Sequence, residues 1–345
     1  MVARDILQQQ LPHTLVETNY EDQGELYRGK VRDNYIKEET ITMVTTDRIS
    51  AFDRVLGTVP FKGQALVEMA DWWFGETADI VANHVLRRPH PNVWTVRRCD
   101  PIQVEMVVRG YLTGITPTSI WTAYEKGDRN FCGNELPDGM RKHEKLPEPI
   151  ITPSTKAAQG DHDESVAPEE LFRRGAVDPG LYQELAKISM KLYRRGVKRA
   201  AEHGMIFVDT KYEFGISSGK IMLMDEVNTP DSSRYWMADD YEKRFEKGEE
   251  PRKFDKEYVR TWLAEQGFRG KGKPPVLTDD LRVEAAARYI EDLHWRGDAA
   301  GIGTGRRRNL PSSQPVYLVL DDSYLKQTFP VASLPQNFDQ IVCLP

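Results

Sequence analysis

The chain has 345 residues, of which 39% are hydrophobic and 29% charged, as in an ordinary globular protein of about two domains. Its net charge of −6 disfavours a general nucleic-acid or anionic-membrane binder, because such proteins carry a basic excess. Its apolar runs fall short of the ~20 residues that a membrane span needs, and the N-terminus lacks the apolar core of a signal peptide. The three cysteines stand far apart and in no metal-ligand spacing, which favours a reducing, cytoplasmic location.

The first half of the chain is predicted to be mostly β-structure. Alternating and β-branched stretches indicate strands, and a run of apolar residues at helical spacing indicates one helix. A later region is rich in Gly, Pro, Asp and His and shows little periodicity. The predicted elements are two strands between about residues 25 and 46 around the turn IKEET, a helix at 63–74, strands at 93–98 and 102–109, and a long ordered loop at 126–166.

The second half contains the clearest helix signal. Asp178 is a good N-cap, Pro179 a good first residue and Gly204 a good terminator, and the leucines between them keep one face. MIFVDT, KYEFGIS and KIMLMDEV are predicted as successive strands, and 256–266 and 280–293 as helices. Strands and helices do not alternate regularly, which favours an α+β fold of two lobes over a doubly wound sheet.

The first candidate for chemistry is the stretch RGKVRD. In a strand, Arg28, Lys30 and Arg32 point to one face, and Gly29 permits close backbone approach. Such an arrangement suits a polyphosphate, whose charge needs screening and positioning. A solvated basic strand face is the alternative, and on these residues alone it is the more common one. The chain contains no P-loop and no HRD or DFG motif, which disfavours a P-loop enzyme and a protein kinase.

The second candidate is a hairpin with charged residues at the ends of its strands. Lys211 and Glu213 share a face, and residues 217–219 are predicted to form a three-residue turn. That register pairs Glu213 with Leu223 and places Asp225 on the same face, within reach of a shared cation. Two carboxylates, completed by waters and phosphate oxygens, are what Mg²⁺ usually takes from a protein. A surface salt bridge is the alternative, and a two-residue turn would put the carboxylates on opposite faces.

Three further segments carry polar groups suited to a ligand. Arg109 ends an apolar strand before Gly110, and it suits either a phosphate or, equally, a structural carboxylate partner. Hydroxyls, a lysine and an acidic cluster occur together at 152–156 and 160–164, where a turn rich in capping residues is the alternative and zinc is disfavoured. The polar segment 228–236 directly follows the predicted metal strand and is placed to converge on the same pocket.

Seven stretches follow one another along roughly residues 20–295: RGKVRDNY, TTDRISAFD, VEMVVRGYLTG, ITPSTKAAQGDHDE, FVDTKYEFG, MDEVNTPDSSRYW and YVRTWL. In this order they resemble the family of phosphoribosylaminoimidazole-succinocarboxamide synthases, the SAICAR synthetases of purine biosynthesis. The resemblance implies an α+β fold of two lobes, related to protein kinases and ATP-grasp enzymes, with the nucleotide between them. We expect an N-terminal β-rich lobe over the ATP phosphates at 1–105, a larger lobe with the metal and substrate sites at 106–296, and a linker and extension at 297–345.

The resemblance also implies a reaction. Carboxyaminoimidazole ribonucleotide, L-aspartate and ATP, with Mg²⁺, would give SAICAR, ADP and phosphate. A carboxylate is a poor electrophile, so we interpret the route as an acyl phosphate that the aspartate amine displaces. A phosphotransferase that stops at the phosphorylated product and a non-catalytic ATP-binding protein are the alternatives. No nucleic-acid or membrane partner is expected, and the sequence gives neither the oligomeric state nor the order of substrate binding.

The family motifs assign roles to individual residues. Many members have a serine directly after Thr113-Gly114, whereas residues 115–118 intervene here, so the serine role is carried to Ser119. The tail beyond residue 309 matches nothing in the family core, and a run at 316–320 is interpreted as an added edge strand. The assignments are ATP binding by Gly29, Lys30, Arg32 and Glu105; catalysis by Lys30, Arg32 and Lys211; Mg²⁺ binding by Glu213 and Asp225; and substrate binding by Asp53, Arg109, Ser119, Asp161, His162, Asp163, Asp231, Ser233, Arg234 and Arg260.

Overall fold

The computed structural model describes residues 4–52, 54–116, 119–156, 164–253, 257–297, 317–319 and 341–343. The helices are α1 (Arg4–Gln10), α2 (Lys62–Glu76), α3 (Ile120–Glu125), α4 (Pro168–Arg173), α5 (Pro179–Glu202), α6 (Tyr241–Glu246), α7 (Glu257–Glu265) and α8 (Asp279–Gly297). The strands are β1 (Glu25–Arg28), β2 (Arg32–Ile36), β3 (Thr40–Thr45), β4 (Arg48–Ala51), β5 (Arg54–Thr58), β6 (Val85–His90), β7 (Val93–Arg97), β8 (Asp100–Tyr111), β9 (Asn130–Phe131), β10 (Asn134–Glu135), β11 (Lys145–Ile151), β12 (Ser154–Thr155), β13 (Met205–Ser217), β14 (Lys220–Met224), β15 (Ser233–Met237), β16 (Tyr317–Val319) and β17 (Ile341–Cys343).

The chain divides into two compact units that alternate along the sequence. The first unit comprises the described parts of 1–71, 85–98 and 256–345, and the second comprises the described parts of 72–84 and 99–255. The division expected from sequence instead ran along the chain, with its first boundary at residue 105. The roles given there to each lobe stay a prediction.

The first unit is built on a five-stranded antiparallel sheet in the order β1-β2-β3-β7-β6. Its core includes Tyr20, Tyr35, Val44 and Val93, and the Tyr35 hydroxyl donates to Thr18 Oγ1 at 2.8 Å. Strands β4 and β5 form a separate hairpin. Helix α8 is tied to the end of β5, because the guanidinium of Arg282 donates to the carbonyl and hydroxyl oxygens of Thr58.

The second unit is built on a six-stranded sheet with two long central strands. Its main path is β11-β8-β13-β14, while β12 pairs with β8 and β15 pairs with β13. Helix α5 begins at the predicted cap, where Asp178 Oδ1 accepts from the backbone N–H groups of Gly180 and Leu181. The helix lies close against β13, and the Tyr193 hydroxyl donates to the Phe207 carbonyl at 2.9 Å.

Most elements with strong local signals are where the sequence predicts them. The structure confirms the α+β class, the helix at 63–74 as α2, the strands at 93–98 and 102–109 as β7 and β8, and the two C-terminal helices as α7 and α8. None of the described helices has the length and apolar character needed to cross a membrane.

Three predictions of local structure were wrong, and a fourth was confirmed in part. The stretch ELYRGKVRDNYI is two strands, because Gly29 N–H donates to the Arg32 carbonyl at 2.8 Å and closes a turn. MIFVDT and KYEFGIS form one continuous strand, β13, and the loop predicted at 126–166 contains the strands β9 to β12. The strand predicted at 316–320 is present as β16, but it pairs with β17 instead of being added to the edge of a larger sheet.

Two helical glycines lead to opposite predictions, because only one of them lies where a helix closely approaches a strand. A Cβ at Gly196 would lie 2.5 Å from the Phe207 ring, whereas a Cβ at Gly75 in α2 would meet nothing within 4 Å. We expect Gly196→Ala to lower the free energy of unfolding by about 1–3 kcal/mol through overpacking. Gly75→Ala should raise it by up to about 1 kcal/mol, since alanine is the better helix former. Urea unfolding of both variants tests this, and equal effects of the same sign would contradict it.

Candidate active site

Charged side chains from two strands, and from the residues that directly follow two others, meet on one face of β13. Lys211 and Glu213 are two residues apart and share that face, and Glu105 of β8 is the register partner of Glu213. Lys211 Nζ donates to Glu105 Oε1 at 2.9 Å and to Glu213 Oε1, and lies 3.9 Å from Asp225 Oδ2 at the end of β14. Lys156, which follows β12, pairs with Glu213 Oε2. We call these five residues the carboxylate–lysine cluster.

The hairpin register that was predicted for this site is wrong. The turn has two residues, Ser218 and Gly219, and both have positive φ, of 51° and 72°. Glu213 therefore pairs with Met224, and regular alternation would turn Asp225 to the opposite face. Asp225 reaches the cluster because its own φ is +60°, which takes it out of the extended strand. The predicted convergence of the two carboxylates thus exists for a different reason.

The cluster keeps both signs of charge in a largely buried place. The side chains of Glu105 and Glu213 are each 12% exposed. Burial opposes the charge on Lys211, but the carboxylates of Glu213 and Glu105 outweigh it and raise the pKa of its ammonium group. Burial likewise opposes the charge on Glu213, and the ammonium groups of Lys211 and Lys156 outweigh it and lower its pKa. Lys211 and Glu213 are therefore charged at neutral pH.

The carboxylates of the cluster suit a hard cation. Within the described residues, no group of three or more His, Cys, Asp and Glu side chains is arranged to hold a metal ion unaided. Glu213 and Asp225 nevertheless direct carboxylate oxygens at one cationic group, the ammonium of Lys211. One or two carboxylates, with phosphate oxygens and waters completing the shell, is how Mg²⁺ is commonly bound in nucleotide-using enzymes. The donor set therefore fits Mg²⁺ that arrives with phosphate.

A second charged group lies further along the same face of β13. Asp209 is the register partner of both Arg109 on β8 and Arg234 on β15. Its Oδ2 accepts from Arg234 at 2.7 Å and from Arg109 at 3.4 Å, and Arg109 Nε donates to Thr152 Oγ1 at 2.8 Å. Burial lowers the pKa of Arg109, and the carboxylate of Asp209 offsets only part of that effect. Two guanidinium groups thus share the carboxylate of Asp209, and these three groups together carry one net positive charge.

Asp209 is a residue that the sequence analysis missed. Asp209, Lys211 and Glu213 form an alternating polar series within β13, which is a readable signal for one strand face. Splitting β13 into two predicted strands hid that series. Both readings of Arg109 are compatible with the structure, since it pairs with a carboxylate and still lies beside a second arginine.

Two predicted substrate residues take part in local structure. The Ser233 hydroxyl pairs with Thr210 Oγ1 at 2.8 Å, which places it on the face of β13 opposite Asp209. Ser119 is the N-cap of α3, and its Oγ lies 2.9 Å from Thr122 Oγ1. Asp231 lies in the turn before β15. Their roles toward a ligand stay predictions.

The basic turn of the first unit, residues 29–31, is held by hydrogen bonds to its backbone carbonyl groups. The guanidinium of Arg48 donates to the carbonyl oxygens of Gly29 and Lys30, at 2.9 and 3.1 Å. Because residues 29–31 form a turn, the predicted single strand face with three cations was wrong. Arg28 instead pairs with the buried Asp33 at 3.3 Å, while the Lys30 side chain is exposed at the turn.

The remaining predicted residues lie either on α7 or outside the described residues. Arg260 lies on α7 in the first unit and is half-buried. Four predicted substrate residues lie outside the described residues, namely Asp53, Asp161, His162 and Asp163.

Comparison with known proteins identifies the family. The SAICAR synthetase family model matches residues 25–275. The phosphoribosylaminoimidazole-succinocarboxamide synthase of Bacteroides thetaiotaomicron is 49% identical over 282 residues, which are 81% of this chain and 88% of the relative. The chloroplastic enzyme of that name from Vigna aconitifolia is 53% identical over 237 residues, which are 68% of this chain and 69% of the relative.

A solved structure shares the fold as well. The SAICAR synthase of Saccharomyces cerevisiae, complexed with SAICAR, is 32% identical and aligns with a TM-score of 0.70 over 81% of this chain and 97% of that one. Fold and matches together define an enzyme of the ligase class. The chain belongs to the SAICAR synthetase family.

The shared carboxylate of Asp209 predicts a large loss of stability when its charge is removed. Asp209→Asn leaves the buried guanidinium of Arg109 without its counter-charge, which we expect to lower the free energy of unfolding by about 3–5 kcal/mol. The matched control is Asp79→Asn, whose exposed pair with Arg195 should contribute less than about 1 kcal/mol. Urea unfolding at pH 7 measures both, and similar losses would show that Asp209 does not balance a buried charge.

Proposed function

We propose that this chain joins L-aspartate to the carboxylate of carboxyaminoimidazole ribonucleotide with ATP and Mg²⁺, forming SAICAR, ADP and phosphate. Family membership supports the ATP-dependent ligation in purine biosynthesis. The observation that carries the assignment of this chemistry to residues is the carboxylate–lysine cluster, where three carboxylates surround one ammonium group. The thiol of Cys132 is free, which supports a reducing compartment, for which we propose the cytoplasm.

The carboxylate–lysine cluster is the proposed phosphoryl-transfer site of the second unit. We assign Glu213 and Asp225 to Mg²⁺, and Glu105 to ATP binding through its contact with Lys211. Bound at these carboxylates, Mg²⁺ supplies positive charge that neutralises phosphate oxygens. We assign to Lys211 the neutralisation of charge that develops during transfer, because its ammonium is held in place on a central strand and stays protonated.

The guanidinium pair is the proposed site for the phosphate of the ribonucleotide. Arg109 and Arg234 both contact the carboxylate of Asp209, and their planar guanidinium groups match the oxygens of a phosphate group. We retain Ser119, Asp231, Ser233 and Arg260 as proposed substrate contacts on the basis of their positions in the family motifs. Asp53, Asp161, His162 and Asp163 are retained on the same basis.

The basic turn of the first unit is the proposed binding element for ATP phosphates. Its backbone is fixed by Arg48, so Gly29 presents a rigid turn and Lys30 an exposed ammonium group. Arg32 begins the next strand, where its register partner is Thr45. We assign Gly29, Lys30 and Arg32 to the phosphates, where the two cations offset charge as the γ-phosphoryl group leaves.

The proposed route has two covalent steps. A carboxylate oxygen of the ribonucleotide attacks the γ-phosphorus, the bond to ADP breaks, and an acyl phosphate forms. The amine of aspartate then attacks the acyl carbon, the C–O bond to phosphate breaks, and the nitrogen loses a proton. Both steps bring anions together, which is why positively charged groups fixed in position are the central requirement.

The first prediction of this proposal concerns aspartate and the metal carboxylates. ADP release from ATP, Mg²⁺ and the ribonucleotide should require L-aspartate, and Glu213→Gln or Asp225→Asn should slow it by about 100-fold or more. Asp138→Asn is the control, because this carboxylate is 91% exposed and distant in role from the cluster. Release that is indifferent to aspartate would favour a phosphotransferase, and ATP binding without turnover would favour a nucleotide sensor.

The second prediction concerns the acyl phosphate. With ¹⁸O in the substrate carboxylate, one labelled oxygen should appear in the released phosphate, since the C–O bond broken in the second step carries it. Mass spectrometry of the phosphate after complete turnover measures this transfer. Unlabelled phosphate alongside SAICAR formation would exclude the proposed intermediate and leave the overall ligation intact.

A further inference from the structure

Both carboxylate oxygens of Glu213 are already engaged by positive charge. Oε1 accepts from Lys211 and Oε2 pairs with Lys156, while Lys211 also contacts Glu105 and lies near Asp225. Among the described residues, the cluster therefore combines three carboxylates with two ammonium groups. The proposed metal ligands carry internal counter-ions before any metal arrives.

These lysines differ from ordinary surface partners. The side chains of Lys211 and Lys156 are 30% and 27% exposed, and Glu213, which both contact, is 12% exposed. Electrostatic attraction in such a site is screened much less by salt than that of an exposed pair. Lys211 projects from β13, a central strand of the sheet. Lys156 is the residue after β12, and β12 pairs with β8, the strand that carries Glu105. Their placement is thus fixed from two sides.

A free divalent cation would meet two obstacles at this site. It must displace an ammonium group from a carboxylate oxygen of Glu213, and it must then lie close to two other positive charges. A nucleotide removes both obstacles, because its phosphate oxygens provide new partners for the displaced lysines and further ligands for the metal. The energetic balance therefore shifts toward metal binding when phosphate enters with the metal.

We propose that Lys211 and Lys156 close the metal-binding carboxylates to free divalent cations, so that the metal enters only together with nucleotide phosphates. The inference rests on the proposed function, in which Glu213 and Asp225 hold the metal. Lys211 has the larger effect, because it reaches three carboxylates whereas Lys156 pairs with one. The metal–nucleotide complex is then the species that the enzyme binds.

Binding of Mn²⁺ to the nucleotide-free protein tests this without any turnover. Free Mn²⁺ is measured by electron paramagnetic resonance with wild type, Lys211→Met and Lys156→Met. We expect weak binding to wild type, binding at least tenfold tighter at one site in Lys211→Met, and a smaller gain in Lys156→Met. The gain in Lys211→Met should disappear when Asp225→Asn is added.

The matched control is Lys220→Met, which removes the same charge from an exposed position on β14 of the same hairpin. It should leave Mn²⁺ affinity unchanged, so that a general charge effect is separated from a local one. Equal affinity of Lys211→Met and wild type would overturn the inference. Circular dichroism checks that each variant is folded.

Wild type alone provides a second test that needs no variant. Its Mn²⁺ affinity should rise at least tenfold when ADP is present, and tight stoichiometric binding without nucleotide would overturn the inference. The ligase assay is scored separately. Tightened Mn²⁺ binding in Lys211→Met without ligation in wild type would refute the proposed function only, and ligation without that tightening would refute the inference only.

Discussion

The alternation of side chains along β13 is the constraint on which the candidate site depends. Thr210, Tyr212 and Phe214 are buried on one side of the strand and anchor it against the core. Asp209, Lys211 and Glu213 consequently face the other side, where β8 supplies Arg109 as the register partner of Asp209 and Glu105 as that of Glu213. The packing of the apolar face thus fixes where the charges stand, because a shift by one residue would turn all three charged side chains toward the apolar core and the anchors toward the charged face.

Two charge groups of opposite character follow each other along this face. Among the residues that the structure describes, the group around Asp209 contains two guanidiniums and one carboxylate, and the group around Glu213 contains three carboxylates and two ammonium groups. Their strand positions are two to four residues apart, or about 7–13 Å at the rise of a β-strand. A ligand with a phosphate at one end and a carboxylate near a metal at the other matches this order of charge, as the proposed ribonucleotide does.

Local signals predicted local structure well, and pairings between distant residues less well. The cap at Asp178 and the apolar spacing of α5 are contained within a few residues, so the helix was readable. The hairpin register depended on whether Ser218 adopts positive φ, a conformation for which serine has no marked preference. Asp209 pairs with Arg109, one hundred residues away, and only the sheet topology brings these two residues together.

The left-handed backbone at Asp225 also limits which side chain can stand there. Asp and Asn adopt positive φ far more readily than other residues with a Cβ, whereas a longer Glu has no local hydrogen bond to favour that conformation. A shorter carboxylate is therefore specified by the backbone as well as by its reach toward Lys211. At the end of β14, Asp and Glu are consequently not interchangeable, because the backbone favours the shorter acidic side chain.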